Sequence, residues 1–148
     1  MNLYIATDHA GFKLKEALVP FIKSLGYEME DLGAFTHDAD DDYPDFISLA
    51  SKEVARNPEH KRAIILGGSG QGEAIVANRV AGVRAVVYYG GNIEIVQLGR
   101  EHNNANVLSL GARFLSIADA KRAVQIFLET EFSREERHIR RINKIDLQ

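Results

Sequence analysis

No cysteine occurs among the 148 residues. Its absence excludes disulfides, cysteine-held metal sites and a thiol nucleophile, and it fits a reducing compartment. No apolar run approaches the roughly 20 residues that a membrane-spanning helix needs. Residues 1–9 have neither the basic start nor the long apolar stretch of a secretory leader, so a cytoplasmic chain outside the membrane is expected. Positive charge is not in excess either: 18 Lys and Arg face 21 Asp and Glu, a formal net charge of −3. Nucleic acid and anionic membrane are therefore not expected partners, and any anion site must come from local grouping of Arg and His. Linkers, internal repeats and low-complexity tracts are also missing, which points to one domain over residues 1–148. The hydrophobic content of 45% suffices for a core.

What is present is an alternation of strand and helix. Short apolar runs at 3–6, 29–32, 63–66, 84–87 and 107–110 read as strands. Between them, Leu14, Leu18, Phe21, Ile22 and Leu25 recur at helical spacing, with Gly26 as the stop. Pro44 opens a helix towards Arg56. Residues 73–79 and 93–100 read as helices, as does the stripe Ala120, Ala123, Val124, Phe127, Leu128. Residues 33–43 read as an acidic loop. Ser133 and Glu136 have the spacing of a capping box. After them Arg137, Arg141 and Lys144 share one helical face, and Ile139, Ile142 and Ile145 another. The expected fold is α/β: a three-layer, doubly wound, Rossmann-like sandwich with a five-stranded parallel sheet and a C-terminal helix. In such folds ligands bind beyond the C-terminal strand ends. There lie Asp8 and His9, the loop from Gly67 to Gly72, and Gly111 to Arg113.

The glycine loop, Gly68-Ser69-Gly70-Gln71-Gly72, admits positive φ and close approach of backbone N–H groups to an oxyanion. It is no dinucleotide fingerprint, because position 73 is Glu rather than Gly. It is no P-loop, because no Lys follows Gly72. On its own it reads equally as a tight strand-to-helix turn. Glu73 is either a helix N-terminal acid or a general base beside an oxyanion hole. Asp8-His9 could be a carboxylate orienting an imidazole or a polar strand end. His102-Asn103 reads as solvated loop, and His37, His60 and His138 as surface residues. Arg137 and Arg141 suit phosphate recognition or form a solvated basic face. Asp38, Asp40 and Asp42 alternate as in a calcium loop, but Tyr43 replaces its glycine and Leu49 its final glutamate. No metal site is expected.

Taken in order, Asp8-His9-Ala10-Gly11-Phe12, Asp42-Tyr43-Pro44, the glycine loop, Ala77-Asn78-Arg79, Ala81-Gly82-Val83-Arg84-Ala85, Glu101-His102-Asn103-Asn104, Gly111-Ala112-Arg113 and Arg137-His138 with Arg141 resemble the family of type B ribose-5-phosphate isomerases and galactose-6-phosphate isomerase subunits. The resemblance covers nearly the whole chain. That family uses either a cysteine at the end of strand three or a glutamate after the glycine loop. This chain has Gly67 at the first place and Glu73 at the second, so it resembles the glutamate class. The resemblance implies Glu73 as base, with His102 opening the furanose ring and Asp8 assisting. It implies His9, Arg113, Arg137 and Arg141 on the phosphate, Tyr43 and Asn103 on sugar hydroxyls, and the amides of Gly68 to Gly72 on the enediolate. It also implies a homodimer, or a dimer of dimers, with the site shared between subunits.

The expected activity is interconversion of ribose 5-phosphate and ribulose 5-phosphate through a cis-enediolate, with no cofactor. The alternatives are a C4 or C6 aldose phosphate (galactose- or allose-6-phosphate-like), a mixed oligomer, or a non-catalytic sugar-phosphate-binding module.

Overall fold

The computed structural model describes residues 1–147. Its strands are β1 Asn2–Thr7, β2 Met29–Asp31, β3 Lys61–Gly67, β4 Ala85–Tyr88 and β5 Val107–Gly111. They form one sheet in the order β2-β1-β3-β5-β4, and every pair is parallel. The helices are α1 Phe12–Ser24, α2 Tyr43–Ala55, α3 Gln71–Ala77, α4 Glu94–Asn103, α5 Ile117–Glu129 and α6 Glu136–Ile142. A 3₁₀ turn, His9–Gly11, links β1 to α1. None of these helices is long and apolar enough to cross a membrane.

Alternation along the central strands builds two cores. Leu3 and Ile5, Ile64 and Leu66, and Leu108 and Leu110 face one side and pack with Leu18, Val96 and Phe127. Tyr4 and Ala6, Ala63 and Ile65, and Val107 face the other, against Ile47, Ala50 and Val54. Strands buried on both faces read as continuous apolar runs, as those of a helix-covered parallel sheet should. The expected three-layer, doubly wound fold is the one found.

Boundaries shift by one to three residues from the sequence reading. α3 starts at Gln71 rather than Glu73, because Gly70 takes φ 77° and turns the chain into the helix directly. One local expectation is wrong. Ser133 and Glu136 make no capping box: α6 begins at Glu136 with Glu135 as its N-cap, and the Ser133 hydroxyl meets His138 Nδ1 at 2.8 Å instead. The matching device occurs at α5, where the Ser116 hydroxyl accepts from the Asp119 N–H at 3.1 Å.

Candidate active site

Three strand ends converge on one spot. At β1, Asp8 is 5% exposed, and its Oδ1 accepts the backbone N–H groups of Ala10 and Gly11 at 2.9 and 3.3 Å. Asp8 thus caps the 3₁₀ turn and does not orient His9. That role belongs to Asp41, whose Oδ1 lies 2.6 Å from His9 Nδ1 and accepts the His9 backbone N–H at 3.0 Å. Asp41 is delivered by the acidic loop, which is anchored where buried Lys15 donates to Ala34 O at 2.6 Å and to Asp31 Oδ1 at 2.7 Å. The Asp41 contact holds His9 above the ordinary histidine range. Asp8 acts the same way, while partial burial and Arg113 oppose it.

At β3, the loop is locked from β5. Ala112 N–H donates to Gly67 O at 2.8 Å and Arg113 N–H to Gly68 O at 3.0 Å. The buried Ser109 hydroxyl donates to Gly70 O at 2.6 Å. Arg113 is thereby brought against Gly68, where an added Cβ would stand 3.3 Å from its guanidinium. Tyr43, at the start of α2, packs on Gly72, where an added Cβ would stand 2.8 Å from its hydroxyl.

Glu73 is 4% exposed, and its carboxyl lies against Gly67: any Cβ at 67 would overlap it. A side chain at the end of β3 would displace this carboxyl from its place, which gives the glycine at 67 a physical reason. Burial raises Glu73 above the ordinary carboxylate range, and nearby Asp8 adds to this; the backbone N–H groups of Glu73 and Gly70 act in the opposite direction. A carboxylate with raised basicity beside a loop of backbone amides can take a proton from carbon and stabilise the oxyanion that results. Asp8, His9 and Asp41 each offer an atom within 4.8 Å of the others, a spacing a metal ion could use, but the Asp41–His9 contact is already that of a close ion pair.

The remaining predicted residues lie elsewhere in the chain. α4 descends from the C-terminal end of β4, and its last turn sits at the opposite, N-terminal ends of the strands. There Ala105 N–H donates to Gly99 O, and Ala63 N–H, near the start of β3, donates to Asn106 O. His102 and Asn103 are on that turn, and α6 with Arg137 and Arg141 packs beside it, with the rings of His102 and His138 in contact. A seven-residue strand such as β3 spans about 20 Å. One chain therefore brings together Asp8, His9, Tyr43, the glycine loop, Glu73 and Arg113, and leaves His102, Asn103, Arg137 and Arg141 at the far end. Arg137 Nε meets Glu135 there at 2.8 Å, with both side chains about half exposed. Three readings are corrected: Asp41 rather than Asp8 meets His9, His102 and Asn103 lie in the last turn of α4 rather than in a loop, and His138 is 3% exposed and partnered rather than on the surface.

The Asp41–His9 pair predicts a pH effect. If His9 holds a phosphate, as the family resemblance implies, its charged form is the one that favours the dianion, and its raised pKa keeps it charged to higher pH. In Asp41→Asn the pKa falls back towards about 6.5, so KM for a phosphorylated substrate starts to rise at lower pH than in the wild type. For stability the sign is the same: the pair contributes fully below the unfolded-state pKa and is lost as pH rises through the folded one. Superimposable KM–pH profiles for the two proteins would remove His9 charge from the account.

The family model described as Ribose/Galactose Isomerase matches residues 3–145. A ribose-5-phosphate isomerase B from Mycolicibacterium paratuberculosis is 42% identical over 143 residues, covering 97% of this chain and 88% of the relative. Among solved structures, ribose-5-phosphate isomerase B from Mycoplasma genitalium with bound ribulose-5-phosphate superimposes with a TM-score of 0.93 at 38% identity, covering 99% of this chain and 94% of the other. A ribose 5-phosphate isomerase from Thermotoga maritima gives a TM-score of 0.90 at 37% identity, covering 99% and 98%.

Proposed function

The chain belongs to the ribose/galactose isomerase family and is an aldose–ketose isomerase, and on that premise we propose that it interconverts ribose 5-phosphate and ribulose 5-phosphate with Glu73 as the base. The observation that carries this reading is the Glu73 carboxyl, buried against Gly67 at the mouth of the glycine loop with its pKa raised. In the open-chain aldose the C2 proton is acidified by the neighbouring carbonyl. Glu73 takes it and exchanges it with solvent, the amides between Gly68 and Gly72 stabilise the enediolate oxygen, the C2 hydroxyl proton passes to O1, and Glu73 returns a proton at C1. Each well-placed donor contributes on the order of 3 kcal/mol to the transition state. His9 and Arg113 hold the phosphate, and Tyr43 meets a sugar hydroxyl.

The full site needs a second copy of the chain. The separation between the Glu73 group and the group of His102, Asn103, Arg137 and Arg141 supports this reading, since a two-fold dimer places one end of each protomer against the other end of its partner. His102 of the partner subunit then opens the furanose ring with Asp8, and Arg137 and Arg141 of the partner subunit complete the phosphate grip.

A coupled isomerase assay over C4, C5 and C6 aldose phosphates tests the substrate: kcat/KM is expected to be highest for ribose 5-phosphate, and a higher value for a C6 sugar phosphate would reassign it. Chelation tests the metal-free chemistry. Turnover is expected to be unchanged in EDTA; loss of activity with recovery on adding one metal would place an ion at Asp8, His9 and Asp41.

A further inference from the structure

His102, in the last turn of α4, and His138, on α6, face each other with ring centroids 4.4 Å apart and planes inclined at 38°. The two rings differ in setting. His102 is half-buried, whereas His138 is 3% exposed. His138 is also tied down. Its Nδ1 meets the Ser133 hydroxyl at 2.8 Å, and its backbone N–H donates to Glu135 O at 2.9 Å. Ser133 N–H in turn donates to Glu101 O at 3.1 Å, so the segment leading into α6 is fastened to the residue beside His102. A half-exposed imidazole at a helix end has several staggered χ1 states and a broad χ2. Packing against a fixed ring removes most of that freedom.

We propose that His138 is a positioning residue whose buried ring holds His102 in the orientation needed to open the furanose ring. The inference rests on the reading of His102 as the ring-opening group. In that step one proton leaves the C1 hydroxyl and one is delivered to O4 as the C1–O4 bond breaks, so none is consumed overall. Both transfers need the imidazole edge aimed at the sugar, and a misplacement of about 1 Å can cost up to 100-fold. The charge balance fits. Burial, then the charges of His102, Arg137 and Arg141, hold His138 below the ordinary histidine range, against the opposing pull of Glu135. A neutral ring beside His102 adds no positive charge. Arg137 and Arg141 lie one residue before and three after His138, so the helix that grips phosphate also carries the ring that aims His102.

The test separates ring opening from proton transfer. Ribulose 5-phosphate cannot close a furanose on its ketone, because its C5 oxygen is esterified. Entry of solvent deuterium at its C1 therefore reports the Glu73 step alone, while turnover of ribose 5-phosphate needs both steps. His138→Ala is expected to lower kcat for ribose 5-phosphate by about 10- to 100-fold and to leave deuterium entry into ribulose 5-phosphate within about 3-fold of wild type. His138→Phe, which keeps the ring face, restores most of the loss; His138→Asn, which keeps only a polar contact to Ser133, does not. If His138→Ala does not fold, the Phe and Asn variants carry the same comparison. Equal loss of both reactions, or a rise in KM for ribulose 5-phosphate, overturns the proposal, because removing His138 then only disturbs α6. Unchanged rates in both reactions overturn it too. His102→Ala distinguishes the underlying reading: if it shows the split and the His138 variants do not, His102 keeps its role and His138 loses the positioning one. If His102→Ala leaves ribose 5-phosphate turnover intact, both fall.

Discussion

Glu73→Gln is expected to lower kcat by about 10²- to 10⁴-fold, the range for removing a general base, while KM moves little. The amide has the shape of the carboxylate but cannot accept the C2 proton. The surroundings of Glu73 also fix the stability outcome. Because burial raises its pKa, the ionised form is the disfavoured one in the folded protein. Its contribution to stability is present below the unfolded-state pKa and is lost as pH rises through the folded value. At neutral pH the neutral glutamine should therefore be as stable as the wild type or more so. A carboxylate that served only to complement the N-terminus of α3 would behave the other way, losing roughly 0.3–1 kcal/mol of stability with turnover intact. The acid limb of kcat/KM in the wild type should lie above the ordinary carboxylate pKa, and measuring Tm and kcat on one preparation of each protein decides between the two roles.

Arg137→Ala and Arg141→Ala are expected to have the second-largest effect. Each removes a charge-assisted contact to phosphate worth about 1.5–3 kcal/mol, which corresponds to about a 10- to 100-fold loss in kcat/KM and appears mainly as a higher KM. Arg56→Ala, just after α2 and paired with Glu53 on an exposed surface, is the control and should change KM little. On the proposal of a site shared between two copies, the effect arises across an interface, since α6 lies at the far end of the chain from the Glu73 group. Glu73→Gln and Arg141→Ala proteins, each nearly inactive at low substrate concentration, should therefore complement when dissociated and reassembled together. Recovery of about a quarter of wild-type activity is expected, because half of the dimers are mixed and each mixed dimer holds one whole site. Simple averaging of the two activities would confine the site to one chain.

Much of this is legible in the sequence. The apolar runs with helical stripes between them point to a parallel sheet covered on both faces, since runs such as Ile64–Leu66 and Leu108–Leu110 suit strands buried on both sides and the stripes supply the covering helices. The glycine loop followed by an acid was legible as a turn that could serve a base, although spacing alone could not exclude a helix cap. Asp41 was not legible. Five acids crowd the segment from Asp38 to Asp45, and which of them reaches His9 depends on how Lys15 ties down the loop at Ala34. The carboxylate next to His9 in sequence, Asp8, is spent on backbone N–H groups. His138 was misread because periodicity placed the apolar face of α6 on its isoleucines, whereas the helix turns the histidine inward onto His102. The Ser133–Glu136 spacing misled because α6 starts only at Glu136, so the Ser133 hydroxyl meets the His138 imidazole and accepts the Glu135 N–H instead of capping the helix. Whether distant motifs share one site is a question of chain direction. α4 runs opposite to the strands and carries His102 away from the glycine loop, a consequence of topology that residue spacing does not display.

The central claim is proton transfer between C2 and C1 of ribose 5-phosphate by Glu73, and NMR of that reaction in D₂O tests it most directly. With wild-type protein, ribulose 5-phosphate should appear and deuterium should enter C2 of the remaining ribose 5-phosphate and C1 of the ketose. With Glu73→Gln both signals should fall together by about 10²- to 10⁴-fold. Ketose formation with no deuterium entry from solvent would contradict a solvent-exchanging base, and deuterium entry at the wild-type rate in Glu73→Gln would contradict Glu73 as that base.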